Sequence, residues 1–200
     1  EHGATAGDPQ HRRRLLEALA EPLAAAHAEI APDEAAAERL TLRYATNAPA
    51  GPGESARDAL ARRLAETADK EVWNGSTLIG PHRDDLAVTL AQRDLRFVGS
   101  AGQQRTAAIA LRLLEAATFR LRGGAQPILL LDDPFAELDR RRATRALALL
   151  DDTSARGLGQ IILCVPRAEE IPREFTRLER WSIRDGRFAP RGRSPGGTGH

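Results

Sequence analysis

Two carboxylates stand side by side at the end of an apolar run: "ILLLDD", Ile128 to Asp133, with a third aspartate, Asp139, closing "PFAELD". Buried strands of α/β proteins present functional residues at their carboxyl ends, outside the sheet. A carboxylate at such an end can hold Mg²⁺, usually through water, and a second one beside it can orient or deprotonate an attacking water. The same pair can also simply cap the turn that leaves the strand. From "ILLLDD" by itself both readings stay open.

A second group lies upstream, in "SAGQQR" (100–105). Ser100 and Gly102 stand at the start of a long helical pattern. The amino end of a helix carries unsatisfied N–H groups and a partial positive charge, which suits an anion such as phosphate. An ordinary serine N-cap is the competing reading.

These residues need elements to position them. A helix is predicted over 9–31, with Leu15, Leu19, Leu23, Ala26 and Ile30 on one stripe. "APDEAAAERL" reads as a turn with more helix or loop, "LTLRY" (40–44) as a short strand, and the Pro/Gly-rich "TNAPAGPGES" as loop. A helix over 55–73 follows, capped by Ser55, with Ala56, Leu60, Leu64, Ala68 and Val72 at every fourth position. "GPHRDDL" is a loop, and 87–98 is expected to form a hairpin of two short strands. The helix over 101–122 has Ala107, Leu111, Leu114 and Leu121 as its stripe, and "RGGAQP" breaks it. "ILLL" and "QIILCV" (160–165) are continuous apolar runs, the mark of strands buried on both faces, with a helix over 139–151 between them. "RWSIRDGRF" suggests a hairpin turning at Asp185-Gly186. Helix, strand, helix, strand in series implies an α/β sheet with parallel strands.

Composition sets the outer limits. The 200 residues are 42% hydrophobic and 28% charged, which describes a globular chain with a sizeable core. No apolar run is long enough to span a bilayer, so no membrane role is expected. The single cysteine, Cys164, excludes an internal disulfide, fits a reducing cytosol and hence a cytoplasmic protein, and reads as a small core residue. A net charge of +1 confines any nucleic-acid binding to local patches. The chain has no methionine and opens on Glu1, which leads us to expect part of something longer.

Order and spacing make the weak motifs strong. Signature-like loop, long helix, apolar strand ending in two acids, then "AELD" resembles the second half of an ABC-type ATPase head, with "ILLLDD" as Walker B and "AELD" as the D-loop. "TLIGPHRDDL" (77–86), "SAGQQRTAAIALRLLEA" (100–116) and "ILLLDDPFAELDRRR" (128–142) together resemble the RecF family, bacterial DNA replication and repair proteins. The fold expected is α/β: the C-terminal part of an ABC-type P-loop ATPase head (77–188), a mainly helical lid region before it (1–76), and a disordered tail (189–200).

The resemblance implies a role for each matched residue. Asp132 would organise Mg²⁺, and Asp133 would stand beside the attacking water. Ser100 and Gly102 would meet the γ-phosphate of ATP bound on a second subunit, and Gln103 would support that loop. Asp139 would reach across the dimer. His82 and Arg83 belong to the matched motif with no catalytic role to derive. The family also implies an ATP-bound homodimer that binds gapped or single-strand/double-strand junction DNA, slow DNA-stimulated ATP hydrolysis, recombination mediator partners, and a part in repair and SOS induction.

The match has gaps. A complete head needs G-x-x-x-x-G-K-[ST], yet the only lysine, Lys70, lies in "ADKEVW" with no glycine before it. Taken alone, the chain is therefore expected neither to bind ATP tightly nor to hydrolyse it. "ILCVPRAEE" has no histidine where transporter ATPases place their switch histidine. The arginine groups in "HRRR" (11–14), "ARR" (61–63) and "DRRRATR" (139–145) could contact DNA phosphates, but a solvated helix face is the simpler expectation for each. At 140–142 the helix dipole disfavours cations, so an anionic partner, DNA or acidic side chains of the protein itself, is expected there. Two other readings remain: a different ABC- or SMC-type head, and a non-enzymatic DNA- or protein-docking lobe.

Overall fold

The computed structural model describes residues 9–121, 127–154, 159–172, 175 and 178–190. The expected helix break at 122–126 and the tail beyond 190 lie outside them. The chain opens with α1 (Pro9–Ile30) and the short α2 (Pro32–Ala37), then β1 (Thr41–Ala45) and α3 (Ala56–Asn74). β2 (Asp85–Leu90), β3 (Arg93–Asp94), α4 (Leu95–Val98) and α5 (Ala101–Leu121) follow. β4 (Leu129–Asp132), α6 (Arg140–Thr153), β5 (Ile161–Cys164) and the hairpin β6 (Trp181–Arg184) and β7 (Arg187–Pro190) complete it.

The centre is α5, which faces two ways. Ile109 and Leu113 pack into one core with Ile30, Phe135, Ala146, Leu147 and Leu150. Ala107 and Ala110 pack into a second with Leu23, Leu40, Leu90 and Leu95. α1 lies against β1, α5 and α6, so residues before and after position 76 share these cores. They also share a sheet, because β1 pairs antiparallel with β2, Tyr44 opposite Leu86.

β4 and β5 are parallel, with Leu129 opposite Ile161 and Asp132 opposite Cys164. Their burial departs from the apolar pattern. Leu129, Leu131, Ile161 and Leu163 pack on the first core, but Leu130 is 69% exposed, Ile162 is 42% exposed, and Cys164 is exposed too. These strands are therefore covered on one face only, since the described helices pack on one side of them. Cys164 sits on the open side and is not a core residue.

The stretch 87–98 also differs from expectation. β3 is two residues long and "LRFV" is helical, because Asp94 accepts a hydrogen bond from the Arg96 amide and caps a turn of helix there. The reversal before it uses Ala91 and Gln92, both at positive φ. The Asp185-Gly186 hairpin forms as expected, with φ of +49° and +74°. Its second strand includes Ala189 and Pro190, which the sequence pattern assigned to the tail.

Candidate functional site

Asp132 is the last residue of β4, and its side chain is exposed. Asp133 leaves the strand at φ +46°, with its amide donating to the Cys164 carbonyl at 2.8 Å. The strand partner thus fixes the backbone from which the second carboxylate projects. Neither side chain has a hydrogen-bond or ion-pair partner among the described residues. Two neighbouring sets of hard oxygen donors are thus free. They fit Mg²⁺, which takes one or two protein carboxylates and completes its shell with phosphate and water. No group of three His, Cys, Asp or Glu residues that could hold a metal occurs among the described residues.

A tight turn follows. Buried Phe135 anchors it to the first core, and Glu137 reverses the chain at φ +64°. Asp139 is the N-cap of α6, its Oδ1 accepting from the Arg142 amide at 2.9 Å. That hydrogen bond, with the charges of Arg142 and Arg141, holds the Asp139 carboxyl below its ordinary value.

Ser100 and Gln103 form a reciprocal cap at the start of α5. The Gln103 amide donates to Ser100 Oγ at 3.2 Å, and the Ser100 amide donates to Gln103 Oε1 at 2.9 Å. The N-cap reading is thus realised. It leaves the amides of Ala101 and Gly102 at the helix start, where no intrahelical acceptor exists. Gln104 ties the loop to α4, its Nε2 donating to the Leu95 carbonyl at 2.9 Å.

The two loops meet at Gly102. A Cβ there would lie 2.9 Å from the Glu137 carbonyl oxygen, a distance real side chains do not tolerate. Glycine is required because the backbones touch. The Gly102 carbonyl accepts from Thr106, which is fully buried. Ser100, Gly102, Gln103 and Asp139 therefore belong to one neighbourhood, with Asp132 and Asp133 at the far end of the same turn.

"GPHRDDL" has local roles. His82 Nε2 lies 3.0 Å from Thr77 Oγ1, and Arg83 Nε donates to the Thr77 carbonyl at 3.0 Å. Asp84 takes hydrogen bonds from the Tyr44 hydroxyl and from the Asn47 amide. The loop thereby fastens β1 to the end of α3.

The arginine groups divide. Arg62 and Arg63 are paired with Glu54 and Glu66, as expected of a solvated face. Arg142 has the anionic partner anticipated for 140–142, and it is protein: Glu34 Oε1 at 2.6 Å. Sequence reasoning did not find Glu34 itself, nor His27 behind it. The one available signal was the placement of a cation at a helix start.

No family model matches the chain. It is similar to "DNA replication and repair protein RecF" of Magnetococcus marinus, 44% identical over 137 residues, covering 68% of this chain and 35% of that protein. The protein of the same description from Moorella thermoacetica is 36% identical over 179 residues, 89% of this chain and 44% of that one. The chain thus spans less than half the length of these relatives. Among solved structures, RecF bound to ATP, from the RecFOR pathway, has a TM-score of 0.63 at 27% identity, covering 92% of this chain and 46% of that one. An SMC head bound to the winged-helix domain of ScpA has a TM-score of 0.52 at 17% identity, covering 88% and 42%, a likeness of fold.

Fold and loops together define part of an ABC-type ATPase head. Within that class, the chain belongs to the RecF family. Among the described residues, no helix is long and apolar enough to cross a membrane.

Proposed function

We propose that the chain contributes the trans-acting half of an ATP site in a RecF-type DNA replication and repair protein. The observation that carries this reading is the contact of Gly102 with the Glu137 backbone, which puts exposed Ser100 and exposed Asp139 on one loop pair. Ser100 and the amides after it would receive the γ-phosphate of ATP held by the P-loop of a second subunit. Two-fold symmetry repeats the arrangement, so one isologous interface carries two nucleotides and ATP joins the subunits.

Asp132 and Asp133 act on the nucleotide of their own subunit. Asp132 would hold Mg²⁺, which would supply neutralising charge at the phosphate oxygens when bound. Asp133 orients a water for in-line attack and accepts its proton as the γ-phosphoryl group passes to that water, leaving ADP and phosphate. Hydrolysis is slow and ends the dimer. The solved RecF with bound ATP and the RecF relatives support this reading.

The ATP-bound dimer binds DNA at gaps or at single-strand/double-strand junctions, works with recombination mediator proteins, and thereby takes part in SOS induction in the cytoplasm. Arg13 and Arg14 on α1 are exposed with no partner among the described residues, and they are the arginines offered to DNA phosphates.

The test is Ser100→Arg in the full-length protein. Light scattering should show ATP-dependent dimerisation abolished, while the monomer binds ATP as before. Unchanged dimerisation would overturn the reading.

A further inference from the structure

Ionisable groups that the ATP chemistry leaves unused are buried where α1 and α2 meet the start of α6. The His27 side chain is fully buried, with Nε2 3.4 Å from Glu34 Oε2. Glu34 Oε1 accepts from Arg142 Nη2 at 2.6 Å, and both side chains are mostly buried, 14% and 16% exposed. Arg142 Nε lies 3.4 Å from Asp139 Oδ2, and Nη1 lies 3.7 Å from where a Cβ on Gly102 would stand. One guanidinium thus reaches α2, the cap of α6 and the first turn of α5. Both His27 nitrogens, Glu34 Oε2 and Arg142 Nε are buried without a hydrogen-bond partner.

Such an arrangement is a poor way to gain stability. Charges removed from water lose hydration that their mutual attraction barely offsets, and apolar residues of similar volume often do as well or better. What a guanidinium supplies and an apolar side chain does not is direction, because its planar fork fixes the angle between the groups it joins. Here those groups are the aspartate and the glycine of the two loops that carry the proposed trans-acting site.

We propose that Arg142, braced by Glu34, is a positioning residue that sets the Asp139 turn and the Ser100–Gly102 loop at a fixed offset. The two loops are then presented to the nucleotide of a second subunit as one rigid piece. The proposal deepens the function proposed above and rests on it.

The test uses the full-length protein and four readouts: ATP-driven dimerisation, ATP affinity of the monomer, thermal melting, and hydrogen exchange at residues 100–104 and 136–142. Arg142→Lys and Glu34→Gln should each weaken ATP-driven dimerisation by about tenfold or more, leave monomer ATP affinity within about twofold, and speed exchange in both loops. The apolar pair E34L/R142M should melt at or above the parent temperature and still dimerise poorly. Normal dimerisation of that pair would make the cluster a packing element and overturn the proposal. Should the pair not fold, Arg142→Lys decides alone, and parental dimerisation and exchange would overturn the proposal. Failure of the unsubstituted protein to dimerise with ATP would instead sink the function beneath. Exchange would then judge the clamp, with unchanged rates in Arg142→Lys ruling it out.

Discussion

Helices α3 and α6 both carry regularly spaced apolar residues, and only one of them buries its set. α6 buries Ala143, Ala146, Leu147 and Leu150. α3 buries Ala59 and Thr67, leaving Val72 83% exposed and Leu64 37% exposed. Spacing explains the difference. Mixed steps of three and four residues keep α6's set within about 100° of arc, whereas four steps of four carry Val72 about 160° round the helix from Ala56. The α3 run winds round the helix and cannot meet a flat core. α3 is held by polar contacts instead: Arg62 to Glu54 and the Pro49 carbonyl, Arg63 to the Asn47 carbonyl, and Glu71 to the amides of Leu78 and Ile79.

This contrast can be broken by experiment. Leu147→Ala should cost about 2–5 kcal/mol in denaturant unfolding, because a fully buried side chain leaves a cavity. Leu64→Ala should change stability by about 0.5 kcal/mol or less. Comparable losses at the two sites would mean that α3 has a covered apolar face after all. A finer version sits on α3 itself. Glu71→Ala removes the acceptor of two loop amides, at 2.7 and 3.1 Å, and should cost about 1–3 kcal/mol, while its neighbour Val72→Ala should cost almost nothing.

The smallest effect concerns pH. Burial lowers the pKa of His27 from its ordinary 6.5, with Arg142 acting in the same direction and Glu34 against it. The unfolded chain then binds a proton that the folded chain resists, so stability is complete above about pH 6.5 and falls as pH drops below it. The urea midpoint should decline between about pH 7 and pH 5.5, and His27→Gln should flatten that slope.

Local chemistry was legible in the sequence. Asp133 and Asp139 flank a turn, and Ser55 and Ser100 cap helices, because neighbouring residues decide these. The two apolar strands pair in parallel because a helical crossover joins them, and that order of elements is readable too. Three things were not legible. "ILLL" and "IILC" report which residues tolerate burial, and say nothing of whether both faces are covered, so the open face at Leu130 and Ile162 was missed. The Glu34–Arg142 pair joins residues 108 positions apart, and no periodicity encodes such a contact. "LRFV" failed for a different reason: apolar, β-branched and aromatic residues suggest a strand, yet the cap supplied by Asp94 committed the segment to helix.

The left-handed backbone of Asp133 has a practical consequence. Non-glycine residues seldom adopt it, and asparagine is among the few that do so readily. Asp133→Asn keeps the volume, suits the φ of +46°, and removes a negative charge beside Asp132. Its fold should therefore match the parent's to within about 0.5 kcal/mol by thermal melting. Under the function proposed above, the substitution in the full-length protein would be a clean reagent: a dimer joined by ATP and slow to part, so that any DNA it holds can be recovered and sequenced.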